Sequence, residues 1–372
     1  MKKVNLLIAL AIIFSAIFVQ SCKKDKEQSP DSTESILPKS FKVDVPEAIS
    51  SANSQKSMLA TNGDTLQGND IYQNLRTFIN VGETASDIVN SIMTTISVYN
   101  INHAMTLSYQ SNEDGRVKNL DVVESASFDG QNWQYQMTIV DANSATNNDG
   151  GVALQIFWNV NPVKGIAIIK PYNLNRTESI NYPDAIYRID YSEAGELGYD
   201  KHMIVEITGI PLEDPSVDPY SISKLKMFAG KTGDVVDVYG NSVHPNATFI
   251  DTTEKGFDWA FVASANQSLD IGVAEVGLPD DDLSSTDRNT LLVTNSIKNV
   301  FTNQINIAYP NIDTLSINNY LYNTEAPGYF NSNGFVQGGT APNTDYTTLA
   351  NNITNLTPYN PVDIKNLTIS FK

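Results

Sequence analysis

From about residue 103 to residue 250, apolar side chains recur at every second position, in short runs. Met105, Leu107 and Tyr109 alternate with polar residues. So do Trp133, Tyr135, Met137 and Ile139, then Leu154, Ile156, Trp158 and Val160, and later Tyr187, Ile189 and Tyr191. A period of two places successive side chains on opposite faces of a strand. Asp114-Gly115, Asp129-Gly130, Asp149-Gly150-Gly151 and Thr232-Gly233 separate the runs, and such pairs favour tight hairpin turns. The pattern predicts about eight or nine strands. Short connections force neighbouring strands to run antiparallel, so the arrangement is a meander with one apolar and one polar face. A sheet of that length must curl around something, close into a barrel or be covered by helices.

Before the strands the period is that of a helix. Ile71, Leu75, Phe78 and Ile79 share one face of 69–80, with Asn69 as N-cap and Gly82 as stop. Ile88, Ile92, Ile96 and Tyr99 repeat the spacing over 84–99, where Thr84 and Asp87 form a capping-box variant. These stripes are read as core. Phe41, Val43 and Val45 alternate with Lys42 and Asp44 and predict a short first strand. After 250 the pattern is mixed. A hairpin is expected from 257–262 and 269–276. A helix capped by Thr286 is expected over 286–306, with Leu291, Val293, Ile297, Val300, Phe301 and Ile305 on its apolar stripe. Leu367, Ile369 and Phe371 predict a final strand. The fold class expected is α+β: two N-terminal helices, a curved antiparallel β-meander that is barrel or half-barrel like, and a mixed C-terminal region.

The first residues carry a different message. Lys2 and Lys3 precede an apolar run from Leu6 to Val19, shorter than the ~20 residues of a membrane-spanning helix. A charged start, a short apolar core and small residues at the exit are the parts of a secretory signal. The exit is Val19-Gln20-Ser21-Cys22, and Cys22 is the single cysteine of 372 residues. This stretch resembles the lipobox of bacterial lipoproteins. The resemblance implies cleavage before Cys22, a diacylglycerol on its thiol, and an outer-membrane lipoprotein held through acyl chains such as palmitate. Lys23-Lys24-Asp25-Lys26-Glu27 is similar to the charged export signal of surface lipoproteins of the Bacteroidota, with Lys26 interrupting the acids. Cell surface and periplasmic face both stay open. The resulting division is a signal peptide at 1–21, a lipidated Cys and flexible tether at 22–56, helices plus meander at 57–250, and a mixed region at 251–372.

One cysteine, once lipidated, leaves no disulfide, no thiolate zinc site and no thiol catalyst. The fold therefore needs a full hydrophobic core. A formal net charge of −18 repels phosphate backbones, which excludes nucleic-acid partners.

Few residues carry a chemical motif. Gly230-Lys231-Thr232 resembles the end of a phosphate loop, but Leu225 stands where the required glycine belongs, so a hairpin turn is the better reading. His103, His202 and His244 are far apart in the chain and form no metal motif. Gly-x-Ser-x-Gly is absent. Asp280-Asp281-Asp282 and the loop of Asp141, Asn143, Asn147 and Asp149 are rich in the oxygens that calcium prefers, without EF-hand spacing. Trp133, Tyr135 and Trp158 are candidates for stacking on sugars, yet their phase with apolar neighbours favours the core. Asp31-Ser32-Thr33, Asp64-Thr65-Leu66, Asp251-Thr252-Thr253 and Asp313-Thr314-Leu315 resemble the O-glycosylation site of exported Bacteroidota proteins. No catalytic residue, metal ligand or cofactor is assigned; the assigned position is Cys22, for lipid. The expected function is non-catalytic binding of an apolar or lipid ligand, or assembly with a protein. The alternatives are a surface glycan-binding lipoprotein and a carboxylate-based hydrolase.

Overall fold

The computed structural model describes residues 36–38, 40–51, 68–97, 101, 103–216, 220–250 and 256–372. The leader and Cys22 lie outside the described residues. Among those described, thirteen strands form one sheet in chain order. They are β1 (Met105–Gln110), β2 (Val117–Phe128), β3 (Gln131–Asp141), β4 (Val152–Val160), β5 (Val163–Ile169), β6 (Ile186–Ser192), β7 (Lys201–Thr208), β8 (Lys224–Thr232), β9 (Val235–His244), β10 (Phe257–Asn266), β11 (Ile271–Gly277), β12 (Gly328–Asn331) and β13 (Gly334–Gly338). Neighbours from β1 to β6 and from β8 to β13 pair antiparallel. The strands expected between 103 and 250 are there as β1 to β9, and the expected later hairpin is β10–β11. The sheet stays open, with β1 and β13 as its ends, so the barrel alternative does not hold.

The two N-terminal helices are one. Helix α1 runs from Gly68 to Ser97 without a break. A glycine that ends a helix usually adopts a left-handed backbone; Gly82 does not. Ile71, Leu75, Phe78, Ala85, Val89 and Ile92 are buried at alternating steps of four and three, and Gly82 occupies the stripe position between Phe78 and Ala85. A Cβ there would lie 2.6 Å from the Met227 Cε and 3.3 Å from Leu225. The glycine lets the helix backbone approach the sheet, which offsets its helix penalty of about 1 kcal/mol.

Helices α2 (Ile297–Ala308), α3 (Thr314–Tyr320) and α4 (Thr347–Ile353) follow β11. The chain divides into two compact units, with boundaries inside α1 and inside β7. The first comprises the described part of Met1–Lys42, Thr84–Val205 and Ile369–Lys372. Here β4 is buried on both faces. Phe41 covers one face: its ring packs on Gly165, where a Cβ would collide with it, and lies 5.2 Å from the Tyr191 ring. On the other face Phe157, Ile166, Ile168, Trp133 and Ala126 form a cluster closed by Phe128, Ile369 and Phe371. The polar face expected of the meander is thus covered at β4. Trp158 is fully buried, its Nε1 donating to the Ile36 carbonyl at 2.7 Å.

The second unit comprises Val43–Glu83 and Glu206–Thr368. Strands β10 and β11 are buried on both faces. Phe78 of α1 meets the Trp259 ring edge-on at 5.2 Å. Ala260 and Val262, in the opposite phase of the same strand, pack with Leu291, Leu292, Tyr346, Leu349 and Ile353. Helices therefore cover both faces.

Three expected elements come out differently. Residues 40–46 alternate as expected but form no strand; Phe41 N donates to Asn90 Oδ1 at 3.2 Å, and Val45 N to Glu83 Oε1 at 3.1 Å. Residues 367–371 form none either; Ile369 and Phe371 lie on the sheet, and Lys372 N donates to Gln155 Oε1 at 2.8 Å. In both segments side-chain acceptors replace a strand ladder. The helix expected at 286–306 is a π-turn at Asn289–Thr294 followed by α2, which Ser296 caps. Leu278 N donates to the Asn295 carbonyl at 2.8 Å, and Ser296 bridges to Gly277. Tied to the sheet there, the backbone cannot continue as helix. Leu291, Ile297, Phe301 and Ile305 are buried as expected, Leu292 is buried too, and Val293 is exposed.

The packed chain begins before residue 56, inside the stretch read as tether. Phe41→Ala is expected to destabilise the first unit by about 3–5 kcal/mol, read as a lowered urea midpoint. A freely solvated residue 41 would leave that midpoint unchanged.

Candidate functional site

A polar network in the first unit is built on the stretch read in the sequence as an oxygen-rich loop. Asp141 ends β3 and accepts from Asn143 N at 3.2 Å. Asp149 Oδ1 accepts from Gly151 N at 2.9 Å, which folds the loop back. Gly151 takes φ +70, and a Cβ on it would lie 2.6 Å from the Asp141 carbonyl oxygen. No side chain fits that turn.

These acids bind the protein's own cations. Asp141 Oδ2 pairs with Arg116 Nε at 2.7 Å and Arg176 Nε at 3.2 Å. Ser144 Oγ donates to the same oxygen at 3.0 Å and accepts from both arginines. Lys118 is fully buried: its Nζ lies 3.0 Å from Asp114 Oδ2 and 3.8 Å from Asp141 Oδ2, and donates to the Asn173 carbonyl at 2.9 Å. Asp149 Oδ2 accepts from Lys170 at 2.7 Å and Asn173 at 2.9 Å. Burial alone would raise the Asp149 pKa, but Lys170, Asn173 and Gly151 N–H together outweigh it and hold it at about 2. The knot ties the β1–β2 hairpin, the β3–β4 loop and the connection after β5 into one brace. At its edge Glu113 accepts from Asn175 at 2.7 Å, while burial, first among several causes, raises its pKa. Its Oε1 is buried with no partner among the described residues.

The second unit holds a fully buried polar group around β9 and β10. His244 Nδ1 stands 2.7 Å from the Tyr220 carbonyl, so it carries the proton and donates; Nε2 then accepts from Ser242 Oγ at 2.8 Å. Phe78 and Trp259 pack on the ring. Burial lowers its pKa to about 4. A serine beside a histidine is the start of a nucleophilic pair, but both are fully buried here, where no substrate reaches them. Asp258 is also fully buried, with Asn241 Nδ2 donating to its Oδ1 at 2.7 Å. Burial pushes its pKa well up.

The Asp280–Asp282 carboxylates lie within 4.8 Å of one another. Lys365 supplies a cation: its Nζ is 2.8 Å from Asp281 Oδ1 and 2.8 Å from Asp282 Oδ1. Asp280 Oδ1 accepts from Asp282 N at 2.8 Å. An internal ammonium thus stands where the sequence offered calcium ligands.

The remaining candidates separate. Trp133 and Trp158 are buried and Tyr135 is half-buried, against the Trp158 ring at 5.4 Å, so none is a surface platform. His103 is exposed and His202 buried. Gly230-Lys231-Thr232 ends β8 at the hairpin with β9. Thr33, Thr65 and Thr252 lie outside the described residues. Thr314 opens α3, with Asp313 as its N-cap.

Sequence reasoning missed two features. One is Lys118, which falls in the inward phase of β2 with Leu120 and Val122; a lysine in core phase was the available signal. The other is the connection between β11 and β12. It exposes Ile307 (56%), Tyr309 (60%), Leu315 (69%) and Tyr322 (63%). The four fall between residues 307 and 322 of the sequence, and exposed large apolar side chains are where interaction sites are sought. Among the described residues no helix is long and apolar enough to cross a membrane.

No protein-family model matches this chain, and neither does a curated protein or a solved structure.

Two measurements test the buried charges. Lys118→Met leaves Asp114 without its ammonium and is expected to cost about 3–5 kcal/mol, against a loss within ~1 kcal/mol for an exposed pair such as Lys298–Glu325. His244, held neutral with a folded pKa of about 4, lies below the ~6.5 of an unfolded histidine. Its contribution is whole above about pH 6.5 and is lost as pH falls toward 4, by roughly 3 kcal/mol. Asp149 adds a loss only below about pH 4. Asp258 and Glu113, whose pKa values burial raises, act in the opposite sense over the same window, so the test is the ring itself: an NMR titration of His244 shows no protonation above about pH 5.

Proposed function

We propose that this chain is a lipid-anchored envelope protein that acts by binding or assembly through its outer surface, without chemistry of its own. One observation carries the reading: at three positions the chain's own side chains press directly on the strand backbone. In the second unit a Cβ on Gly272 would collide with Ile49, and one on Gly328 would stand 2.6 Å from the Tyr72 ring. In the first, Phe41 presses on Gly165 in the same way. A face too close to its cover for one extra carbon has no room there for an acyl chain. In this reading the helix takes the place that a ligand has in half-barrel lipid carriers.

The anchor rests on the lipobox-like Val19-Gln20-Ser21-Cys22. Each buried lipid CH₂ contributes about 0.8 kcal/mol, so two or more acyl chains hold a protein at a bilayer far more firmly than one. Attachment at the outer membrane, on its surface or its periplasmic face, follows from that resemblance. The hydrolase alternative is weaker, because Asp258, the carboxyl most strongly pushed up, is fully buried.

Two experiments decide. In the native host, a palmitate probe labels the wild-type chain, and Cys22→Ala loses the label and leaves the membrane fraction. An unlabelled wild-type chain overturns the anchor. Native mass spectrometry of the purified protein is expected to show no bound lipid beyond the anchor. A stoichiometric phospholipid inside the fold overturns the surface reading.

A further inference from the structure

We propose that the β11–β12 connection is a stacking platform for an uncharged glycan, which names the partner class of the surface reading above and rests on it. The exposed side chains Ile307, Tyr309, Leu315 and Tyr322 sit at the end of α2, in α3 and just after it. Tyr320 is half-buried, and its pKa is raised first by burial and then by the nearby Tyr309.

The rings stand on a backbone fixed before any partner arrives. Tyr309 N donates to the Ile305 carbonyl at 2.7 Å, and the Tyr309 carbonyl accepts from Ile312 N at 3.0 Å, with Pro310 between them. Tyr322 lies between two anchors. On one side Leu321 is buried, and its carbonyl accepts from Thr324 Oγ1 at 2.9 Å. On the other, Asn323 takes φ 58 and its Oδ1 accepts from Gly338 N at 2.7 Å. Rigid tyrosines on a fixed backbone lose little entropy on binding.

Charge selects the partner. Between residues 306 and 324 the sequence has one charged side chain, Asp313, in a protein that is 18% charged. Asp313 is engaged with its own helix: Oδ1 accepts from Ser316 N and Oδ2 from Ser316 Oγ, both at 2.9 Å. The rest of the polar surface is amide and hydroxyl, from Asn306, Asn311, Asn318, Asn319 and Asn323 with the tyrosines. Amides both donate and accept, as sugar hydroxyls do. The C–H face of a pyranose matches an aromatic face. An anionic polymer finds no cation in this stretch, and the acidic protein repels it.

The test uses the full lipidated chain in a non-sugar detergent. Affinity electrophoresis is run in gels containing β-glucan, galactomannan or xylan, with polygalacturonate as the anionic contrast. At least one neutral polymer is expected to retard the protein. The Tyr309→Ala/Tyr322→Ala variant is expected to bind at least ~10-fold more weakly, and Tyr309→Phe/Tyr322→Phe within ~3-fold of wild type, since the ring faces remain. Both variants unfold at the wild-type urea midpoint. Retardation by none of the neutral polymers, retardation by polygalacturonate alone, or unchanged binding by the alanine variant overturns the proposal. So does a dimer, seen by light scattering, that the alanine variant dissolves; that outcome makes the surface a contact between copies. Palmitate labelling of Cys22 is independent of all these results, so a failed platform and a failed anchor are told apart.

Discussion

An antiparallel sheet laid down in chain order and left open has two faces to cover and nothing of its own to cover them with. Most of what surrounds the strands answers that requirement. In the second unit, the first half of α1 lies on one face, through Tyr72, Leu75 and Phe78. Leu291, Leu292, Tyr346, Leu349 and Ile353 close the other at β10. In the first unit Phe41 covers one face, while Ile369 and Phe371 return from the far end of the chain to cover the second. Cover this close needs small residues beneath it. Gly165, Gly272 and Gly328 supply them on the strands, and Gly82 on the helix. The segments before α1 and after the last helical turn lack ladder partners, so side-chain oxygens of Asn90, Glu83 and Gln155 receive their backbone N–H groups.

A chain with one cysteine cannot staple its loops with disulfides. The Asp141 knot performs a related task electrostatically. Its ion pairs join a hairpin, a loop and a connection that are distant in sequence. Burying Lys118 and Asp141 is unfavourable taken singly, and attraction repays it only where each remaining valence is met. The knot meets them with Ser144 Oγ and Asn143 N at Asp141 and with the Asn173 carbonyl at Lys118. Asp258 in the second unit shows the other solution. It has one donor, Asn241, and its second oxygen has no partner among the described residues, so the proton-bearing form is favoured.

How much was legible follows from the range of each signal. Strands β1 to β9 were readable because alternation and turn chemistry are local. The stripe of α1 was readable for the same reason. Its continuity was not, because a glycine that stops a helix and one that lets it approach Met227 look alike until the partner is placed. The π-turn at Asn289–Thr294 was hidden likewise: its cause is a backbone tie to Gly277 and Leu278. Residues 41–45 and 367–371 show that alternation reports a segment with one side turned inward and the other outward, not a ladder. At the candidate sites the residue types were visible and their use was not. Asp281, Asp282 and Asp149 read as cation ligands, which they are, but the cations are Lys365 and Lys170.

The β11–β12 connection obeys a different logic from the rest of the second unit. Ile317 and Leu321 are buried and hold it down, so it is not merely a loop that failed to pack. The same stretch leaves Tyr309, Leu315 and Tyr322 in water, although other parts of the chain bury such residues wherever a face needs cover. Exposing them lowers solubility and adds nothing to the core, while the acidic surface elsewhere restores solubility. The stretch is also nearly free of charge in an acidic chain. A segment held down by Ile317 and Leu321, exposing tyrosines and a leucine among amides and carrying a single charge, Asp313, is built to meet something, and a partner that offers hydroxyls and flat apolar faces without charge suits each of those properties at once.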